Sequence, residues 1–231
     1  MLPRVTRIVI FILAFYSWTL TSMAQDGNTT HQYAASDTDA YNPLTSMDVA
    51  VKTNGLYDAL AVPNLGIEVA FGRKWTVGLD WMYAWWKTDR RHRYWQCYGG
   101  YLTVRRYFKG HAQLSSPSDK LFTGHHIGAY VLGLTYDFEW GKRGYQAEKF
   151  GFGAGLEYGY AVPIGKRLNL DFSLGVGFQD GEYKEYVPQD THYVWQATRK
   201  RHWIGPTKAE ISLVWIIWSD NLRAIRKGGE R

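Results

Sequence analysis

Leu168-Asn169-Leu170-Asp171-Phe172-Ser173-Leu174-Gly175-Val176-Gly177-Phe178 carries a large apolar side chain at every even position and Asn, Asp, Ser or Gly between them. A period of two describes an extended strand with two unlike faces. Phe150–Val162 repeats the pattern: Phe150, Phe152, Ala154, Leu156, Tyr158, Tyr160 and Val162 alternate with Gly151, Gly153, Gly155, Glu157 and Gly159. In residues 208–217, Ala209, Ile211, Leu213, Trp215 and Ile217 oppose Lys208, Glu210 and Ser212. Upstream, Leu65, Ile67, Val69 and Phe71 form one such face, and Trp75, Val77, Leu79, Trp81, Tyr83 and Trp85 another. In residues 124–140 the same reading puts Tyr130, Leu132, Leu134, Tyr136, Phe138 and Trp140 on the large face. Val131, Gly133, Thr135, Asp137 and Glu139 then take the small one. The segments 48–58 and 95–108 alternate less cleanly.

About eight strands result, and an even number suits a small up-and-down antiparallel transmembrane β-barrel over residues 46–218. A water-soluble sandwich would alternate too, but its apolar face seldom holds so many Trp and Tyr. Small and polar residues on the other face fit a narrow lumen. Trp81, Tyr83, Trp85 and Trp86, clustered at a strand end, suit an interfacial girdle. Gly72-Arg73-Lys74 and Gly165-Lys166-Arg167 read as tight periplasmic turns, with longer connections at 87–94, 141–149 and 179–204 on the opposite side. Residues 109–123 are long where that order expects a short turn.

The composition agrees. The 231 residues include 11 Trp, 17 Tyr and 10 Phe, which excludes a disordered chain. Cys97 is the only cysteine, so no internal disulfide framework and no four-cysteine zinc site exists. Arg4 and Arg7, the apolar run Ile8–Tyr16 and the small residues Ser22 and Ala24 predict a secretory signal peptide over 1–24. Its removal takes two arginines, and the net charge falls from +6 to +4. Residues 25–45 read as a flexible arm, and 219–231 as a basic periplasmic tail. The expected location is the cell outer membrane.

The inward face is expected to collect Lys52, Glu68, Asp80, Arg105, Asp137, Glu139, Glu157, Asp171, Lys208 and Glu210. Paired carboxylates suit general acid/base chemistry. In a lumen just wide enough for side chains, a salt-bridge network is the stronger expectation, because buried charges persist by pairing. Arg105, the only arginine placed inside, should pair with Glu68, Asp80 or Glu157. His125 and His126 are adjacent on a strand and point to opposite faces, so they cannot share a metal. No His-Glu-x-x-His or Ser-His-Asp spacing is visible, and Cys97 reads as a small buried filler. Arg90, Arg91 and Arg93, with Arg199, Lys200 and Arg201, lie in two basic-aromatic runs. At an outer rim they would meet lipopolysaccharide phosphates, with Tyr and Trp at headgroup depth. Nucleic acid as the partner fits poorly with export and is not expected.

Further strings carry a resemblance: Leu56–Gly66 (LYDALAVPNLG), Trp81–Trp86 (WMYAWW), Arg91–Trp95 (RHRYW), Thr123–Gly128 (TGHHIG), Tyr136–Trp140 (YDFEW) and Trp195–Thr198 (WQAT). Over residues 46–218 the chain resembles a Bacteroidota family of outer-membrane β-barrel proteins known as a domain of unknown function. The resemblance implies a small barrel, and, since some members are encoded beside fimbrial genes, fimbrial components as partners. It brings no catalytic residues and no cofactor. The expectation is therefore a non-enzymatic barrel with a structural or assembly role. A rim-active enzyme on lipid or peptide and a narrow passive pore are its rivals.

Overall fold

The computed structural model describes residues 47–71, 74–88, 93–108, 121–141, 143–189 and 192–219. The signal peptide, the arm and the basic tail lie outside them. Among the described residues nine strands follow in chain order: β1 (Asp48–Asn54), β2 (Asn64–Phe71), β3 (Trp75–Thr88), β4 (Arg93–Tyr107), β5 (Gly124–Trp140), β6 (Arg143–Ala147), β7 (Gly151–Pro163), β8 (Leu168–Gln189) and β9 (His192–Ser219). A single helical turn, α1 (Gly55–Ala59), joins β1 to β2. All pairings are antiparallel, and the sheet closes in a ring because β1 pairs with β9 and β4 with β5. β6 and β7 share one position, since both lie between β5 and β8. Nine strands thus occupy eight places around the ring.

Alternation decides which side chains face inward. Leu156, Phe152, Leu79 and Leu174 stand on the outer face, 57–70% exposed, while Glu68, Thr76, Arg105 and Glu157 point in and are buried. Glycines make the narrow interior possible. One hydrogen-bonded row runs Arg105–Gly128–Glu157–Gly175–Lys208, so each long charged side chain has a glycine beside it. A Cβ on Gly128 would meet the Glu157 carboxylate, and one on Gly66 would meet Asp80 and Lys52. Alternating large and small residues is how a small barrel fills its inside.

Both ends of the interior are closed. At the end holding the β2–β3, β4–β5 and β7–β8 connections, Leu121 and Phe122 pack with Tyr107, Ala50, Ala70, Val214 and Ile216. Asn169 Nδ2 donates to the carbonyls of Leu121 (2.7 Å) and Phe122 (3.1 Å). The end of the long 109–123 connection is therefore a plug; residues 109–120 lie outside the described ones. At the other end α1 and residues 60–63 fold over the opening. Val62 packs on Met82, Ala84, Cys97, Tyr101, Tyr130 and Leu132, with Tyr57 against the same cluster. Trp86 and Trp95 Nε1 donate to the carbonyls of Ala61 (2.6 Å) and Leu60 (3.0 Å). Among the described residues, the only non-glycine positive φ angles are Ala61 and Phe122, one in each closure. Each left-handed residue costs about 1 kcal/mol, which the surrounding packing must offset.

Three expectations are corrected. In β5 the even residues face inward, because Gly128 pairs with Arg105 on one side and Glu157 on the other. Tyr130 and Leu132 are consequently buried and Val131 is exposed; Asp137 and Glu139 share the odd parity of Val131 and stand apart from the central charges, Glu139 being buried at 1% exposure. Apolar residues on both faces had made the parity of this strand ambiguous. Secondly, residues 179–204 are not a loop but the upper half of the β8–β9 hairpin, and 141–149 contains β6. Thirdly, the strand near 48–58 stops at Asn54, whose side chain caps α1 by accepting the Leu56 N–H at 3.1 Å.

Candidate functional site

Arg105, carried inward by β4, is the centre of the interior. Its guanidinium reaches Glu157 (2.5 Å), Glu210 (2.6 Å), Glu68 (3.0 Å) and Asp171 (3.1 Å), from β7, β9, β2 and β8. One planar fork thereby ties five strands, a task suited to the fixed donors of arginine. Lys208 Nζ bonds Glu157 at 2.7 Å, the Thr103 hydroxyl at 3.0 Å and Glu210 at 3.4 Å. Lys52 lies 3.0 Å from Asp80 and 3.9 Å from Glu68 and Glu210. Eight of the ten charges expected in the lumen meet there; Asp137 and Glu139 do not. Arg105 binds two of the three acids foreseen, Glu68 and Glu157, and Asp80 goes to Lys52.

Three cations face five carboxylates in this cluster. Neutral donors hold part of the excess: Thr76 to Glu68 (2.6 Å), Tyr107 to Glu68 (3.3 Å) and Ser173 to Asp171 (3.2 Å). His126 Nε2 sits 2.9 Å from Asp171. The sequence reading missed His126, Tyr107, Thr76 and Thr103 as members. Counting by twos along β4 from Arg105 and along β3 from Asp80 would have found the last three.

The central charges are shut away from solvent. The Lys208 and Glu157 side chains are wholly inaccessible and Arg105 is 1% exposed. Glu157 is held by two cations at once, Arg105 through one oxygen and Lys208 through the other. Cys97 is buried, its Sγ 3.8 Å from Met82 Sδ. His125 lies on the outer face against Tyr158 and Tyr160, opposite to His126 as alternation requires. Among the described residues, no three His, Cys, Asp or Glu side chains form a metal-binding group.

The basic rim is built differently. Arg93 stacks over Trp140 at 4.6 Å, and Arg201 over Tyr183 at 5.9 Å. Arg199 pairs with Glu185 at 3.0 Å. Lys200 and Lys149 share Glu182, at 3.5 and 3.2 Å, and their hydrogen bonds hold its carboxyl below the usual range. Arg199–Arg201 sit in β9, not in a connection. Arg90 and Arg91 lie outside the described residues. Nearby, the Tyr186 hydroxyl bonds Asp137 (2.7 Å) and the buried Glu139 (3.3 Å), and Tyr94 and Tyr193 are hydroxyl-bonded.

A family model matches residues 16–217, and its description is "Protein of unknown function (DUF3575)". Neither the curated proteins nor the solved structures contain a match.

Proposed function

The chain belongs to the DUF3575 family, and we propose that it is an outer-membrane β-barrel, sealed inside, with a structural or assembly role at the cell surface. One observation carries this reading: the ring is apolar outside and charged inside. Leu156, Phe152, Leu65, Leu79, Leu174 and Val176 are 54–70% exposed on the outer face, and aromatic residues flank them. A water-soluble protein seldom exposes more than a few hundred Å² of contiguous apolar surface. Trp75 and Trp85 stand ten residues apart on β3. At about 3.3 Å per residue and a tilt of roughly 40°, they bracket about 25 Å, the height of the apolar band of such barrels.

Chain order assigns the sides. The start of β1 and the end of β9, the Leu121–Phe122 plug and the 164–167 turn then face the periplasm, and the α1 lid and β8–β9 hairpin face outward. Arg93 on Trp140 places a cation and an indole together at the outer rim, as contact with lipopolysaccharide phosphates requires. The passive-pore reading is the weaker one, because a pore needs a hydrated path and the central side chains are at most 4% exposed apart from Asp80. Fimbrial components are the proposed partners, supported by the resemblance of the Leu56–Gly66 and Trp81–Trp86 strings. An epitope inserted at Arg91 should be reachable by antibody on intact cells, and one at Lys166 only after the outer membrane is breached. Equal access to both on intact cells would overturn the placement.

A further inference from the structure

The β8–β9 hairpin outgrows the ring. β8 has 22 residues and β9 28, whereas β1 and β2 have 7 and 8. β1 covers β9 only over Ser212–Ser219. Just above, the Asn54 side chain continues the ladder, donating to the Ala209 carbonyl at 3.0 Å and accepting the Ile211 N–H at 3.2 Å. Over Tyr193–Pro206, among the described residues, no strand pairs with the edge of β9 that faces away from β8. At about 3.3 Å per residue this is roughly 45 Å of open edge, a template for an added strand.

We propose that this edge docks an extended, acidic segment of a partner protein as a further strand of the sheet. Charge selects the occupant. Residues 193–206 contain Arg199, Lys200, Arg201 and His202 and no acid. The acids that pair with Arg199 and Lys200 come from β8, on the other side, and leave those side chains 60% and 71% exposed. A second copy pairing about a two-fold axis would set this basic run against itself, and like charges directly opposite destabilise a sheet. Basic residues, Pro206 and the irregularities opposite Gly175 and Glu185 guard the edge against indiscriminate pairing. An acidic strand is the one that such a guard admits. Trp195 and Trp203 flank the run, 61% and 49% exposed. Their Nε1 groups are held locally by Thr198 Oγ1 and the Pro206 carbonyl, both at 3.2 Å, so each indole is fixed beside the edge. Main-chain bonds would then supply affinity, and the cations and indoles selectivity.

The test uses the mature chain refolded in lipid nanodiscs and peptides of about ten residues alternating Val with Glu, Val with Lys, or Val with Glu around two central prolines. The Val-Glu peptide should bind about tenfold more tightly than either other peptide and lose affinity with added salt. It should also slow amide exchange within Tyr193–Pro206. The triple variant R199E/K200E/R201E should lose that binding while the ring stays folded. Equal binding of the proline peptide, or binding without slowed exchange, would reduce the site to a charged surface and overturn the proposal. Protection of the edge without peptide, rising with protein concentration, would overturn it in favour of a second copy. The inference rests on the hairpin and not on the membrane placement, so its failure leaves that reading standing.

Discussion

The interior of the ring and the upper half of the β8–β9 hairpin are both laced with ion pairs, yet they use charge in opposite ways. Inside, Arg105 and Lys208 are inaccessible, and the four carboxylates that Arg105 holds arrive on four different strands. On the hairpin, the basic partners of Glu182, Glu185 and Glu148 are 41–74% exposed. Water screens those pairs, so each contributes little. In the interior the protein alone solvates the charge, and removing one member strands the others. The same residue types therefore act as struts in one place and as a recognition surface in the other.

Arg105→Met should break this contrast most visibly, because it leaves Glu68, Asp171 and Glu210 short of a donor. The expected loss is about 3–5 kcal/mol, read by urea unfolding in lipid vesicles. Leu174→Arg places a charge on the outer face, where neither protein nor water solvates it, and should cost about 2–4 kcal/mol in the same assay. Asn54→Ala removes two bonds to the edge of β9 where β1 ends, with an expected loss of about 1–3 kcal/mol. Amide exchange at Ile211, whose N–H donates to the Asn54 side chain, should rise with it. Arg199→Ala, on the hairpin, should change stability by less than about 1 kcal/mol. A loss at Arg199 matching that at Arg105 would erase the distinction between the two regions.

Where one face of a strand is apolar and the other polar, the sequence was enough. Leu168–Phe178 and Phe152–Tyr160 point as their alternation says, and Glu157 and Asp171 fall inside with Arg105. β5 escaped because Tyr130 and Leu132 are as apolar as Val131, so only pairing with β4 and β7 fixes its parity. The hairpin escaped for a related reason. Tyr193–Ile204 is exposed on both faces and shows no periodicity to read. The two plugs depend on contacts distant in the chain, such as Asn169 with Leu121 and Trp86 with Ala61. No local pattern announces such contacts.

The central claim is that the outer face of this ring meets lipid. Spin labels placed singly at Phe152, Leu156, Tyr158, Leu174 and Lys200, on a Cys97→Ala background in lipid vesicles, test it most directly. Oxygen, which partitions into lipid, should relax the first four strongly, and a water-soluble nickel complex should not, whereas Lys200 should show the reverse. Nickel access at Phe152, Leu156 and Leu174 equal to that at Lys200 would place the apolar face in water and contradict the account.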